Sequence, residues 1–209
     1  MAKYLAIGDS HIPRRAKSIP EKIITKLKEL TKNELFDYTF FTGDIINAPE
    51  FIDFLTQRTK KKFFIVIGNM DFYGGNKNAP VYEECEILFN DGEKMTIGLT
   101  HGAQISPRGD HSQLEEIAIE RKYNIIISSH SHQEEIFLTK RKILLINPGS
   151  ITGAWSFVAS GIHSFIVLKI IEKIKEIQVK LYQLKKSSND LSELKSYFIF
   201  KNNRINYKF

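Results

Sequence analysis

Cysteine is almost absent from this chain. There is one in 209 residues, Cys85, which excludes an intrachain disulfide and fits a reducing compartment. Proline and tryptophan are scarce too, at six and one, and no Pro-rich linker, repeat or low-complexity segment stands out. No run of about 18 uncharged apolar residues occurs, so no bilayer-spanning helix is expected. The apolar run within Met1–Ile7 is too short for a secretory leader. Lipidation motifs and strongly basic amphipathic helices are also missing. The expectation is a cytoplasmic protein that reaches membranes only through partners, without inserting.

Charge of one sign is in modest excess. Lys plus Arg is 30 against 24 Asp plus Glu, a formal net charge of +6. The excess is spread thinly, with short clusters at Lys60-Lys61-Lys62, Lys140-Arg141-Lys142 and Lys185-Lys186. These read as solvated lysines on loops and helix faces. Lysine carries most of the charge and lacks the planar fork that reads phosphate bidentately, which argues against a nucleic-acid partner. Hydrophobic residues at 42% and charged residues at 26% describe an ordinary globular chain.

Short apolar runs alternate with amphipathic segments in the first third. Tyr4–Ile7, Tyr38–Phe41 and Phe63–Ile67 read as strands, and Glu21–Leu30 and Pro49–Gln57 as helices. That order indicates a parallel α/β sheet. Cys85–Phe89 and Met95–Thr100 flank Asp91-Gly92 as a hairpin, Gln113–Lys122 reads as a helix and Ile125–Ile127 as a buried strand. Ile136–Leu138, Ile143–Ile146, Ser164–Ile170 and Ile177–Leu184 follow as strands. The fold class expected is α/β: a four-layer α/β/β/α sandwich of two packed mixed sheets. Residues 1–184 form the domain, and 185–209 an extension, either an edge strand or a loose tail.

Metal-capable side chains gather where these strands stop: Gly8-Asp9-Ser10-His11, Gly43-Asp44, Gly68-Asn69-Met70-Asp71, His101-Gly102 and His130-Ser131-His132. Four of the six histidines lie in these segments. Carboxylate with imidazole suits Mn, Fe, Co, Ni or Zn, and one shared carboxylate can join two ions. Strand alternation would send residues i and i+2 to one side, so Asp9 with His11, and His130 with His132, should each face one ion. Ser10 and Ser131 read as spacers, Asp71 as a solvated turn residue or else a support behind the ligands, and His111 as a helix-start residue.

In order and spacing these segments resemble the calcineurin-like metallophosphoesterase superfamily, whose series runs D-x-H, G-D, G-N-H-[D/E], H, G-H-x-H. The resemblance implies that Asp9, His11, Asp44 and His132 hold one divalent ion (Mn, Zn, Ni or Fe). Asp44, Asn69, His101 and His130 would hold a second. It narrows, through Gly8–Arg14, Gly98–Gln104 with Pro107, and Asn147–Ala154, to the branch containing the retromer subunit. That likeness implies a scaffold in a vesicle-trafficking complex, with weak or no hydrolase activity. Its metal face, with Gln104, Ile105 and Pro107, would meet a helical-solenoid protein, and an apolar patch including Val167 and Tyr182 would bind short peptides. The alternative is a metal-dependent phosphodiesterase acting on nucleotide-type substrates. The chain departs from active phosphatases at Met70, where they carry a general-acid His, yet it keeps Asp44, which the eukaryotic retromer subunit lacks.

Overall fold

The computed structural model describes residues 1–74, 78–185 and 190–208. Within Lys185-Lys186, the second lysine lies outside the described residues. The chain runs β1 (Ala2–Ile7), α1 (Glu21–Leu30), β2 (Phe36–Phe41), α2 (Pro49–Thr56), β3 (Thr59–Ile65), α3 (Asn69–Tyr73), β4 (Tyr82–Leu88), β5 (Lys94–Thr100), α4 (His111–Glu120), β6 (Ile125–Ile127), β7 (Glu135–Leu138) and β8 (Leu144–Asn147). It ends with β9 (His163–Ile171), β10 (Glu176–Leu184), β11 (Leu191–Lys201) and β12 (Arg204–Tyr207).

Two mixed sheets result. The larger has the order β12-β11-β10-β9-β1-β2-β3 and the smaller β4-β5-β6-β8-β7. Strand alternation divides the apolar side chains between two faces. Along β1, Tyr4 and Ala6 point between the sheets, where they meet Ile97, Ile125 and Leu144; Leu5 and Ile7 point outward under Ile23 and Leu27 of α1 and Leu55 of α2. On the far side Leu114 and Ala118 of α4 cover Ile126 and Leu145. The layers are therefore helix, sheet, sheet, helix, as the sequence pattern anticipates.

Several boundaries shift for a common reason. β3 starts at Thr59, four residues ahead of its apolar run, because it is the edge of the large sheet and its first residues pair with Phe36 while their side chains stay wet. Lys60–Lys62 thus lie on an edge strand rather than a loop, with Lys61 3.5 Å from Asp37 and Lys62 3.2 Å from Glu83. α4 begins at His111 because the Asp110 carboxylate caps it, accepting from Gln113 N at 2.9 Å. Strand β11 pairs with β10 from Leu191 to Ile199, and Phe198, Phe200 and Ile205 are buried between the sheets.

In the large sheet β1, β2 and β3 run parallel, and in the small one β5, β6 and β8 do. The loops leaving the carboxyl ends of β1, β2, β3, β5 and β6 carry all the metal-type segments, where open α/β sheets present their sites.

Candidate metal centre

Five of the seven predicted ligands occupy left-handed backbone: Asp9 (φ 51°), His11 (48°), Asp44 (56°), His130 (68°) and His132 (60°). The pairs do not converge by strand alternation, as expected from sequence. β1 stops at Ile7 and β6 at Ile127, and each ligand is turned inward by a strained loop instead. Asp and His are among the side chains that tolerate this region, and strain of this kind persists where surrounding structure enforces it.

The enforcing contacts are visible. Ser150 Oγ donates to the Asp9 carbonyl at 2.7 Å, and Thr152 Oγ1 to the Ser10 carbonyl at 3.0 Å, which gives the Asn147–Ala154 segment its purpose. Ser10 Oγ donates to the Ile45 carbonyl at 3.1 Å, and Asn147 Nδ2 to Ser131 Oγ at 2.8 Å. Both serines brace loops. Of the two readings the sequence leaves open for Asp71, the structure favours the support over the solvated turn. It is buried, and its carboxylate accepts from the amides of Asp44 (2.7 Å), Ile46 (2.8 Å) and Gly68 (3.1 Å). It clamps the loop that presents Asp44. Gly68 must lack a side chain, because a Cβ there would lie 2.0 Å from Asp44 Oδ1.

The seven side chains meet in one buried cluster, with only Asn69 partly exposed. Candidate donor atoms of Asp9, His11, Asp44 and His132 lie within 4.8 Å of one another. His11 Nε2 is 3.0 Å from His132 Nε2 and 3.4 Å from Asp44 Oδ2, and His132 Nε2 is 3.5 Å from Asp9 Oδ1. On the other side His101 Nε2 is 3.1 Å from Asn69 Oδ1, 3.2 Å from His130 Nδ1 and 3.5 Å from Asp44 Oδ2. Asp44 Oδ2 therefore faces both halves.

These spacings fit cations. Ligands about 2.1 Å from a shared ion stand about 3.0–3.4 Å apart at octahedral or tetrahedral angles. Asp9 Oδ1 is buried with no hydrogen-bond donor, and His11 Nδ1 is buried without a partner. Leaving a carboxylate oxygen so placed is costly unless something positive completes it. His101 Nδ1 donates to the Thr42 carbonyl at 2.8 Å and His132 Nδ1 to the Ala154 carbonyl at 2.9 Å. Carbonyls can only accept, so both Nε2 lone pairs face the cluster, the outer support that metal-binding histidines use. Burial pushes His11 and His130 down to about 3, which leaves both neutral. Burial pushes Asp44 up to about 6, against the pull of His101. For Asp9, burial pushes upward but His132, His101 and the other imidazoles outweigh it and hold the carboxyl below its ordinary value.

Among the predicted partner-binding residues the outcome is mixed. Gln104 and Pro107 are exposed, while Ile105 is buried beneath α4 with Leu114. Val167 and Tyr182 do not form a surface patch. They are 1% and 2% exposed, packed with Ile23, Leu27 and Phe165 under α1, and the Tyr182 ring stacks on Phe165 at 4.8 Å. Lys26 of α1 also sits 5.7 Å from the Tyr182 ring centre. The helix that covers the outer face of β9 and β10 closes the site foreseen for peptides.

Residues 3–173 match the calcineurin-like phosphoesterase superfamily domain. A probable metallophosphoesterase of the archaeon Methanothermobacter thermautotrophicus is 34% identical over 147 residues, 70% of this chain and 75% of that protein. Among solved structures, Vps29 of Cryptosporidium parvum is 27% identical with a TM-score of 0.79, covering 95% of this chain and 98% of that one. A single-mutant Vps29 of Entamoeba histolytica is 26% identical with the same TM-score of 0.79, covering 94% and 99%. By sequence and by fold, the chain belongs to the calcineurin-like phosphoesterase superfamily.

Proposed function

We propose that the chain binds two divalent cations and hydrolyses phosphodiesters. Asp9, His11, Asp44 and His132 hold one cation; Asp44, Asn69, His101 and His130 hold the other. The observation that carries this is Asp44 Oδ2, 3.4 Å from His11 Nε2 and 3.5 Å from His101 Nε2, so that one carboxylate could serve both halves of the cluster. When bound, such a pair supplies charge stabilisation at the phosphoryl oxygens and an acidified water. The chain's own residues fix the rest. Thr42 and Ala154 set the imidazole tautomers, Asp71 holds the Asp44 loop, and the Met70 amide donates to Asp44 Oδ1 at 2.8 Å. The Met70 thioether has no proton to give, so the departing oxygen takes its proton from solvent. Esters with acidic leaving groups are therefore favoured over alkyl monoesters. The archaeal relative's name, a probable metallophosphoesterase, supports the same reading.

A second reading, a docking subunit for a helical-solenoid protein of a retromer-like complex, draws on the likeness to Vps29 along nearly the whole chain. In that role the filled centre stiffens the face bearing Gln104 and Pro107. Assay of bis(4-nitrophenyl) phosphate with added Mn²⁺ separates the two. The hydrolase reading requires metal-dependent turnover that Asp44→Ala abolishes. No turnover, with tight binding to a helical-repeat protein, favours docking.

A further inference from the structure

The chain's only tryptophan, Trp155, is 63% exposed, and Phe157 two residues on is 81% exposed, the most exposed large hydrophobic among the described residues. Their rings form one edge-to-face surface with centroids 5.1 Å apart. Both sit on the loop that seats the His132 imidazole. The Ala154 carbonyl accepts from His132 Nδ1 at 2.9 Å, and Ser156 Oγ donates to the Ser131 carbonyl at 2.6 Å. Trp155 is thus pinned on both sides to the segment that carries His130 and His132. Keeping two large aromatic faces in water beside a polar site marks a binding surface rather than packing.

Two arginines bracket the pair. Arg15, four residues after His11, donates from Nη1 to the Trp155 carbonyl at 2.8 Å. Arg108 reaches the His130 carbonyl at 3.4 Å, and its guanidinium lies 5.6 Å from the Phe157 ring centre. A guanidinium has five N–H donors in a fork suited to phosphate oxygens. Among the described residues neither of these arginines forms an ion pair with a carboxylate within 4.0 Å. Cationic forks at both ends of an aromatic surface, beside a centre built for divalent cations, complement a ligand that is anionic at one point and a flat π-system at another.

We propose that Arg15, Trp155, Phe157 and Arg108 form a substrate platform that stacks a nucleobase and seats the attached phosphodiester at the metal centre. This names the substrate class of the phosphodiesterase reading and rests on it for the chemistry, though not for the binding. Stacking is tolerant of base identity, since every base presents a π-face, so the preference is for nucleotide-type diesters as a class. An aliphatic diester has the phosphate but nothing to stack.

Because Trp155 is the only tryptophan, its emission reports directly on the platform. The full-length chain is titrated with adenylyl-adenosine and, in parallel, with glycerophosphocholine. The expected result is saturable quenching by the dinucleotide and none by the aliphatic diester. Phe157→Ala should weaken dinucleotide binding about tenfold or more, Phe157→Tyr should restore it, and Arg108→Ala should weaken binding and flatten its salt dependence. Both positions are at or near the surface, and melting curves check that each variant folds. No quenching, equal quenching by both diesters, or quenching indifferent to Phe157→Ala overturns the proposal even if bis(4-nitrophenyl) phosphate is turned over. So does self-association, by light scattering, that shields Trp155, or an emission change given by a Pro-rich peptide and not by the dinucleotide. Dinucleotide quenching without any turnover leaves the platform standing and removes the hydrolase reading.

Discussion

Gly68→Ala tests how the centre is built. Gly68 has φ −88° and ψ 160°, a conformation alanine adopts without strain, so the added methyl acts only through space. It would lie 2.0 Å from Asp44 Oδ1 and 2.3 Å from Asp44 N, where ordinary contact begins at 3.4 Å. The carboxylate or the Gly68 loop must therefore give by about 1.4 Å, the difference between those distances. Metal–ligand distances tolerate about ±0.2 Å, so under the proposed two-ion centre Asp44 would be lost to both ions at once. Displacing an outer support of a metal ligand costs about 10–100-fold in affinity, and displacing the shared ligand itself should reach or exceed the upper end. Overpacking adds about 1–3 kcal/mol of destabilisation, or about 2–12 °C in Tm for a chain of this size. Gly92→Ala is the control. Its φ is +85° with nothing within 4 Å of the added Cβ, so it should cost about 1–2 kcal/mol of backbone strain and leave metal affinity alone. Calorimetric titration of chelator-stripped protein with Mn²⁺, alongside thermal melts, reads both effects. If Gly68→Ala binds Mn²⁺ as tightly as the parent, Asp44 is not the shared ligand and the reasoning fails.

Met70→His should raise turnover of phenyl phosphate, whose leaving group is poor, by about 10²–10⁴-fold, with little change on bis(4-nitrophenyl) phosphate; no gain would mean the departing oxygen does not pass position 70. Phe198→Ala should cost about 3–5 kcal/mol in urea denaturation, because Phe198 is buried between the sheets although it lies in the final stretch of chain; a cost near zero would mean β11 is only loosely attached. Burial raises the Glu193 carboxyl, but hydrogen bonds from Lys180, Tyr182 and Lys195 outweigh it and hold it at about 2. A lowered carboxyl gives stability that is complete above its ordinary value of 4.5 and lost as pH falls toward about 2. Glu193→Gln should therefore flatten the acid limb of a stability–pH curve across that window, and an unchanged limb would refute the assignment.

The layers, and the gathering of these Asp, Asn and His side chains, were legible because they depend on patterns that survive in one dimension: apolar periodicity, and a metal-type residue after β1, β2, β3, β5 and β6. How the ligands converge was not legible. Sequence offers alternation as the mechanism, whereas Asp9, His11, His130 and His132 are turned inward by left-handed backbone, and nothing in a His or Asp codon position announces its φ. For Asp71 sequence left two readings open, a solvated turn residue or a support behind the ligands, because its partners, the amides of Asp44 and Ile46, lie more than twenty positions away in the chain. Val167 and Tyr182 lie on strands whose outer face could have been bare or covered, and α1 decides that they are covered. Sequence left the last stretch open between an edge strand and a loose tail because most side chains of β11 point to solvent, with only Phe198 and Phe200 buried.

Anomalous diffraction from a crystal soaked in Mn²⁺ is the direct test of the central claim. Two peaks that share Asp44 are expected, one among Asp9, His11 and His132, the other among Asn69, His101 and His130. A single peak elsewhere on the chain, or none at an Mn²⁺ concentration that saturates the calorimetric signal, would contradict it.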